Sequence, residues 1–223
     1  MNVRQSLPSL PNGRTLLYGA LVLNTELLLV LLHPGIAGLT AQGWLHVALA
    51  LVWINVGAWA VLRTDPAPAS PDQRRTAFVV AAGYFAVLLY VGGLVTLGTT
   101  FASADLPATG ARIAWLIPGW GPAVQYGGEL VTVSLQPYKL VGYFALAYLV
   151  YATVLDAAGA AVSGVLGLLS CVSCTWPVLT TVATSVLGGS SALAAAVQNW
   201  PQEISTVVFV VTVGLLYWRP FGR

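Results

Sequence analysis

Charge is scarce in this chain: of 223 residues only 7% are charged, nine basic and seven acidic. A soluble domain carries roughly a quarter charged residues, so this chain cannot cover a water-facing surface of ordinary size. The nine basic residues form no dense cluster and the net charge is only +2, which gives no footprint for a nucleic-acid partner. Two cysteines are too few for a disulfide framework. No Ser/His pairing motif, paired Asp or His-Glu-x-x-His arrangement is present, which argues against an intramembrane hydrolase.

What fills the chain instead is apolar. Hydrophobic residues make up 57% and mean hydropathy is +0.81. The length suits five to seven membrane spans of about 20 residues. Eight Arg against one Lys, with Ala, Val, Leu and Gly abundant, is the usage of a GC-rich prokaryotic genome.

The expected fold class is all-α: one polytopic membrane helical bundle over residues 1–223, with six transmembrane helices. The apolar runs place the spans at about 15–33, 43–62, 77–97, 138–155, 160–187 and 204–218. The first run is too long for a signal-peptide core and contains Glu26. Arg63 to Arg75 holds three prolines and five charges and is expected to be an aqueous loop. Residues 101–137 form the longest connection, an outer loop with partial order. Within it Ile113 to Trp120 is suited to the interface, and Glu129 to Leu135 alternates like a short strand. Gly188 to Ser191 interrupt the chain before the last span, so 192–198 reads as a short or re-entrant piece.

Short cytoplasmic loops collect Lys and Arg. With both termini inside, Arg4, Arg14, Arg63, Arg74, Arg75, Arg219 and Arg223 are cytoplasmic, and only Arg112 and Lys139 lie outside. The lipid bilayer of the cell membrane is therefore the first expected partner, and an extracytoplasmic protein meeting loop 101–137 the second.

Polar groups at membrane depth cost several kcal/mol unless partnered. Glu26, Asn55 and Cys171 fall near the middle of their spans. With no cationic residue at its depth, Glu26 is expected to carry its proton, as a structural hydrogen-bond donor or a proton relay. His33 and His46 flank the first interhelical link. Two histidines fall short of the three or four ligands a metal site needs, and the simpler expectation is interfacial rings bonded to water or backbone.

One stretch is chemically distinctive, Cys171-Val-Ser-Cys174-Thr-Trp-Pro177. Cysteines three apart share a helix face, so both sulfurs can reach one ion or each other. Pro177 cannot donate to the carbonyl of Ser173, so the helix is expected to kink beside the second cysteine. The pair can cycle between dithiol and disulfide, hold Cu(I) between two thiolates, or pack as two small apolar side chains. Copper is thus the cofactor to test.

The run Cys174-Thr-Trp-Pro-Val-Leu-Thr-Thr-Val182 resembles the Cys-x-x-Pro helix of the CcdA/DsbD family of membrane thiol-electron transporters. The resemblance covers about ten residues, and it implies a six-span fold and a redox role carried by Cys174. That family places one essential cysteine in each half of the protein, whereas here both lie on one helix. The chain as a whole also resembles integral membrane proteins of haloarchaea.

Overall fold

The computed structural model describes residues 13–33, 38–97, 110–128, 130–157 and 201–218. They divide into two units, Met1–Thr40 and Ala41–Arg223. The first holds one helix, α1 (Gly13–Leu31), whose described face is largely exposed leucine and valine. The second holds α2 (Ala41–Arg63), α3 (Pro71–Val91), β1 (Val95–Leu97), β2 (Gly110–Ala114), β3 (Ala123–Gly127), β4 (Val131–Leu135), α4 (Pro137–Ala157) and α5 (Pro201–Trp218).

The all-α, six-span expectation is corrected here. Among the described residues there are five helices and a four-stranded antiparallel sheet, ordered β1-β4-β3-β2. Three helices, α2, α3 and α4, are long and apolar enough to cross a membrane, and α1 and α5 contain shorter apolar stretches. The placement of both termini on one side was counted from six spans, and it falls with them. Of the stretch 101–137 expected as an ordered outer loop, the described residues supply three of the four strands, β2, β3 and β4. Of its parts, the alternating segment ending at Leu135 is strand β4, while Ile113 belongs to β2 and pairs with Val124. The expected span 160–187, both cysteines and the 188–198 interruption lie outside the described residues.

Local chemistry explains where the helices depart from the expected boundaries. Ser70 accepts from the Gln73 amide while the Gln73 side chain accepts from the Ser70 amide, and Pro71 opens α3. This capping box starts the helix six residues before the apolar run does, drawing Arg74 and Arg75 into its first turns. At the other end Gly93 adopts φ +72°, its amide bonds Tyr90 and the Leu94 amide reaches back to Leu89. That is a Schellman termination, with Leu94 tucked into the core, and it stops α3 at Val91 rather than at Leu97. The β-branched residues that follow take up strand instead.

In the second unit α4 is the central helix, packing on α2 and α3, while α5 lies along α2. Trp53 of α2 forms the hub. It stacks on Phe209 of α5 at 4.0 Å and meets the edges of Tyr138 and Tyr143 of α4 at 5.7 and 5.8 Å. Its indole N–H donates to Thr206 Oγ1 at 2.9 Å. Gly142 lets α4 pass beneath the ring, since a Cβ there would collide with Trp53. The segment after α2 is not simply aqueous: Thr64 is buried, its carbonyl accepts from Tyr148, and the Ala67 amide donates to Asp156.

The tetrapeptide Gly-Tyr-Phe-Ala occurs at 83–86 and 142–145, and its glycines give a paired test. Gly142→Ala should destabilise by about 1–3 kcal/mol through overpacking. Gly83→Ala meets open space and should be neutral or stabilising by up to about 1 kcal/mol through helix propensity. Tryptophan-monitored unfolding in detergent reads both, and equal effects would refute the close approach at Trp53.

Candidate functional site

The helices α2, α4 and α5 all begin at the end of the bundle that carries the sheet, as three cross-contacts fix: Gln42 with Glu203, Tyr138 with Gln202, and Trp53 with Thr206. Prolines open both α4 and α5, where a missing amide donor costs nothing and the fixed φ suits the helix. Glu203 sits in the first turn of α5, where the helix dipole favours a carboxylate.

Over these helix starts folds the turn between β2 and β3. The amides of Trp120 and Gly121 bond the Ile117 carbonyl at 3.0 and 3.1 Å, and the Gly119 carbonyl accepts from the Tyr138 amide at 3.1 Å. Gly119 is required twice over, by φ +83° and because a Cβ would lie 2.7 Å from that of Ala50. The turn thereby delivers Trp120 between His46 and Tyr138, with ring centroids 5.6 and 4.9 Å away. Its indole N–H donates to the His46 carbonyl at 3.3 Å.

Around this aromatic wedge runs a polar string. The Gln42 amide nitrogen lies 3.4 Å from His46 Nε2 and 3.3 Å from Glu203 Oε1, so its two hydrogens can serve both when the ring nitrogen accepts. Deeper, Gln202 donates to the fully buried Tyr138 hydroxyl at 2.8 Å. On the α3 side Lys139 Nζ donates to the Gly92 carbonyl at 3.3 Å, tying the helix end to the start of α4. Chemically the arrangement is a joint: three helix ends and the sheet turn are held by side chains that satisfy one another.

Of the residues singled out from sequence, the joint contains His46 alone. Glu26 lies half-buried on α1 and His33 just beyond it, both in the first unit. Asn55 donates to the Leu51 carbonyl of its own helix. Cys171 and Cys174 fall outside the described residues. Among the described residues no group of three or more His, Cys, Asp or Glu is gathered to hold a metal ion. Sequence reasoning missed Gln42, Tyr138, Gln202 and Glu203, and it placed Trp120 only in a stretch suited to the interface. The available signal was the placement of Pro137 and Pro201 ahead of apolar runs, which marks helix starts and puts their first-turn polar residues at one level.

The chain belongs to a family of unknown function (DUF7546), whose model matches residues 1–223. No curated protein and no solved structure matches the chain. None of these comparisons shows the expected likeness of residues 174–182 to the CcdA/DsbD family.

The Tyr138–Gln202 contact makes an asymmetric prediction. Gln202→Leu strands a buried hydroxyl and should cost about 1–3 kcal/mol, whereas Tyr138→Phe leaves only the half-buried Gln202 amide, which water can reach, and should cost about 1 kcal/mol or less. Unfolding of the two variants in detergent decides the order, and a costlier Tyr138→Phe would contradict it.

Proposed function

We propose that this protein is a multi-pass anchoring subunit of the cell membrane, whose helices hold a small sheet at the membrane surface for a partner protein. The observation that carries this reading is the joint. The sheet is bracketed in sequence by α3 and α4, fixed by the Gly119–Tyr138 hydrogen bond, and wedged by Trp120 into the helix starts. A scaffold that positions an extramembrane surface needs this kind of stiffness, because a partner bound to a loosely attached module pays ordering entropy on association.

The test is affinity purification of the tagged chain from its native membrane after mild cross-linking. A stoichiometric membrane-protein partner is expected, and it should disappear when residues 110–128 are replaced by a flexible Gly-Ser linker. Recovery of the chain alone, or a partner indifferent to that replacement, would refute the anchoring role.

A second reading rests on a specific sequence feature, the spacing Cys171-x-x-Cys174-x-x-Pro177. Here the pair would hold copper, or pass two electrons and two protons to a partner disulfide as it closes its own. Metal analysis and thiol alkylation of wild type beside Cys171→Ser and Cys174→Ser separate the cases. Copper near one per chain, lost in both variants, favours metal handling. Alkylation that changes with redox poise favours electron transfer, and neither result leaves the anchoring reading alone.

A further inference from the structure

The sheet is amphipathic with its polarity reversed from that of a water-facing module. Directly paired residues of an antiparallel sheet share a face, so the register sorts the strands cleanly. Arg112, Gln125 and Ser134 lie across one face together with Thr132, and Arg112 Nε donates to Gln125 Oε1 at 2.8 Å. On this polar face Gln125 is 8% and Thr132 6% exposed. The other face carries the row Leu135–Val124–Ile113 and the row Val95–Val133–Tyr126–Ala111. Here exposure rises outward: Leu135 packs against the bundle core, Val124 is 49% exposed and Ile113 62%.

We infer that this apolar face rests on the interfacial layer of the lipid bilayer beside the bundle. Three observations select lipid as its occupant. The row begins on the bundle core at Leu135, so the apolar face is continuous with the helices at that edge, while on β3 it is the face left uncovered. From there it reaches two strands outward, about 10 Å at the usual strand spacing, so Val124 and Ile113 overhang the space flanking the helices. The apolar exposure continues along the chain from Val87 and Tyr90 on α3 to Leu97 at the end of β1, the lipid-facing side of a span running into the sheet. The strands carry one charged residue, Arg112, and it lies on the opposite face. Tyr126 on the apolar face and exposed Trp115 just beyond β2 are the residue types that favour the headgroup level. The inference rests on α2, α3 and α4 being membrane spans; it does not depend on the anchoring role.

Spin-label accessibility in vesicles of phosphatidylcholine and phosphatidylglycerol tests it. With Cys171 and Cys174 replaced by serine, single labels are placed at Ile113→Cys and Val124→Cys on the apolar face, Arg112→Cys on the polar face, and Val79→Cys on exposed α3. All four positions are exposed, and the unfolding midpoint checks each variant. At 113, 124 and 79 collisions with oxygen should exceed those with a water-soluble nickel chelate several-fold, with the reverse at 112. Nickel-dominated collisions at 113 and 124 would mean water, and shielding from both reagents would mean protein, a second copy included. Either outcome, with 79 still reading lipid, overturns the inference alone. A water-exposed 79 would overturn the span reading and the inference with it.

Discussion

The second unit depends on one indole. Among the described residues Trp53 is the only point where α2, α4 and α5 meet through stacked rings, edge contacts and a hydrogen bond at once. In a bilayer, lipid tails are as apolar as the side chains, so burial of hydrocarbon gives little drive for helices to associate. What remains is close packing, aromatic geometry and hydrogen bonds between helices. Trp53 supplies all three, and Gly142 makes it possible by removing the side chain that would keep α4 away. The Thr206 hydroxyl has a double duty, since it also donates to the Gln202 carbonyl one turn earlier in α5.

The joint at the sheet end follows from the same hub. Trp53 sets α2, α4 and α5 running the same way, so the first turns of α4 and α5, with their unpaired amides, lie level with the first half of α2. Polar and aromatic side chains gathered at that level find partners across helices, and the turn of residues 115–122 closes over them. Irregular backbone of this kind is sustainable because its amides and carbonyls are bonded internally or reach water. Gly119 illustrates the constraint: its carbonyl caps the Tyr138 amide, and its missing Cβ is what lets it come against Ala50.

Sequence legibility followed the range of the interactions. Apolar runs located α1, α2, α4 and α5 to within a few residues, because burial or lipid exposure of a helix is written in consecutive positions. The ends of α3 were also written locally, in Ser70-Pro-Asp-Gln73 and Gly92-Gly93, yet hydropathy outweighed them and stretched the span to Leu97. The sheet was half legible. Alternation marked the strand ending at Leu135, but its partner strands are five residues or fewer and carry no signal until they pair. Of the joint, only His46 stood out, as one of two histidines. Gln42 and Glu203 are 161 residues apart, and nothing in either neighbourhood announces the other. The cysteine motif is legible as spacing alone.

Helix α4 is held at both ends by unlike chemistry. At its start Tyr138 is bonded through its amide to Gly119 and through its hydroxyl to Gln202, and Lys139 is bonded to Gly92. From its second half Tyr148 and Asp156 grip the segment that follows α2, through the Thr64 carbonyl and the Ala67 amide. Beside each grip sits a buried oxygen with no hydrogen-bond partner, Gln136 Oε1 at the first and Thr64 Oγ1 at the second. Such an atom costs about 1–3 kcal/mol where water cannot reach it. Between them the buried face of α4 carries Ala145, Leu146, Leu149 and Ala152. Helix α4 is thereby tied at its start to the sheet turn and to α5, and along its second half to the segment after α2.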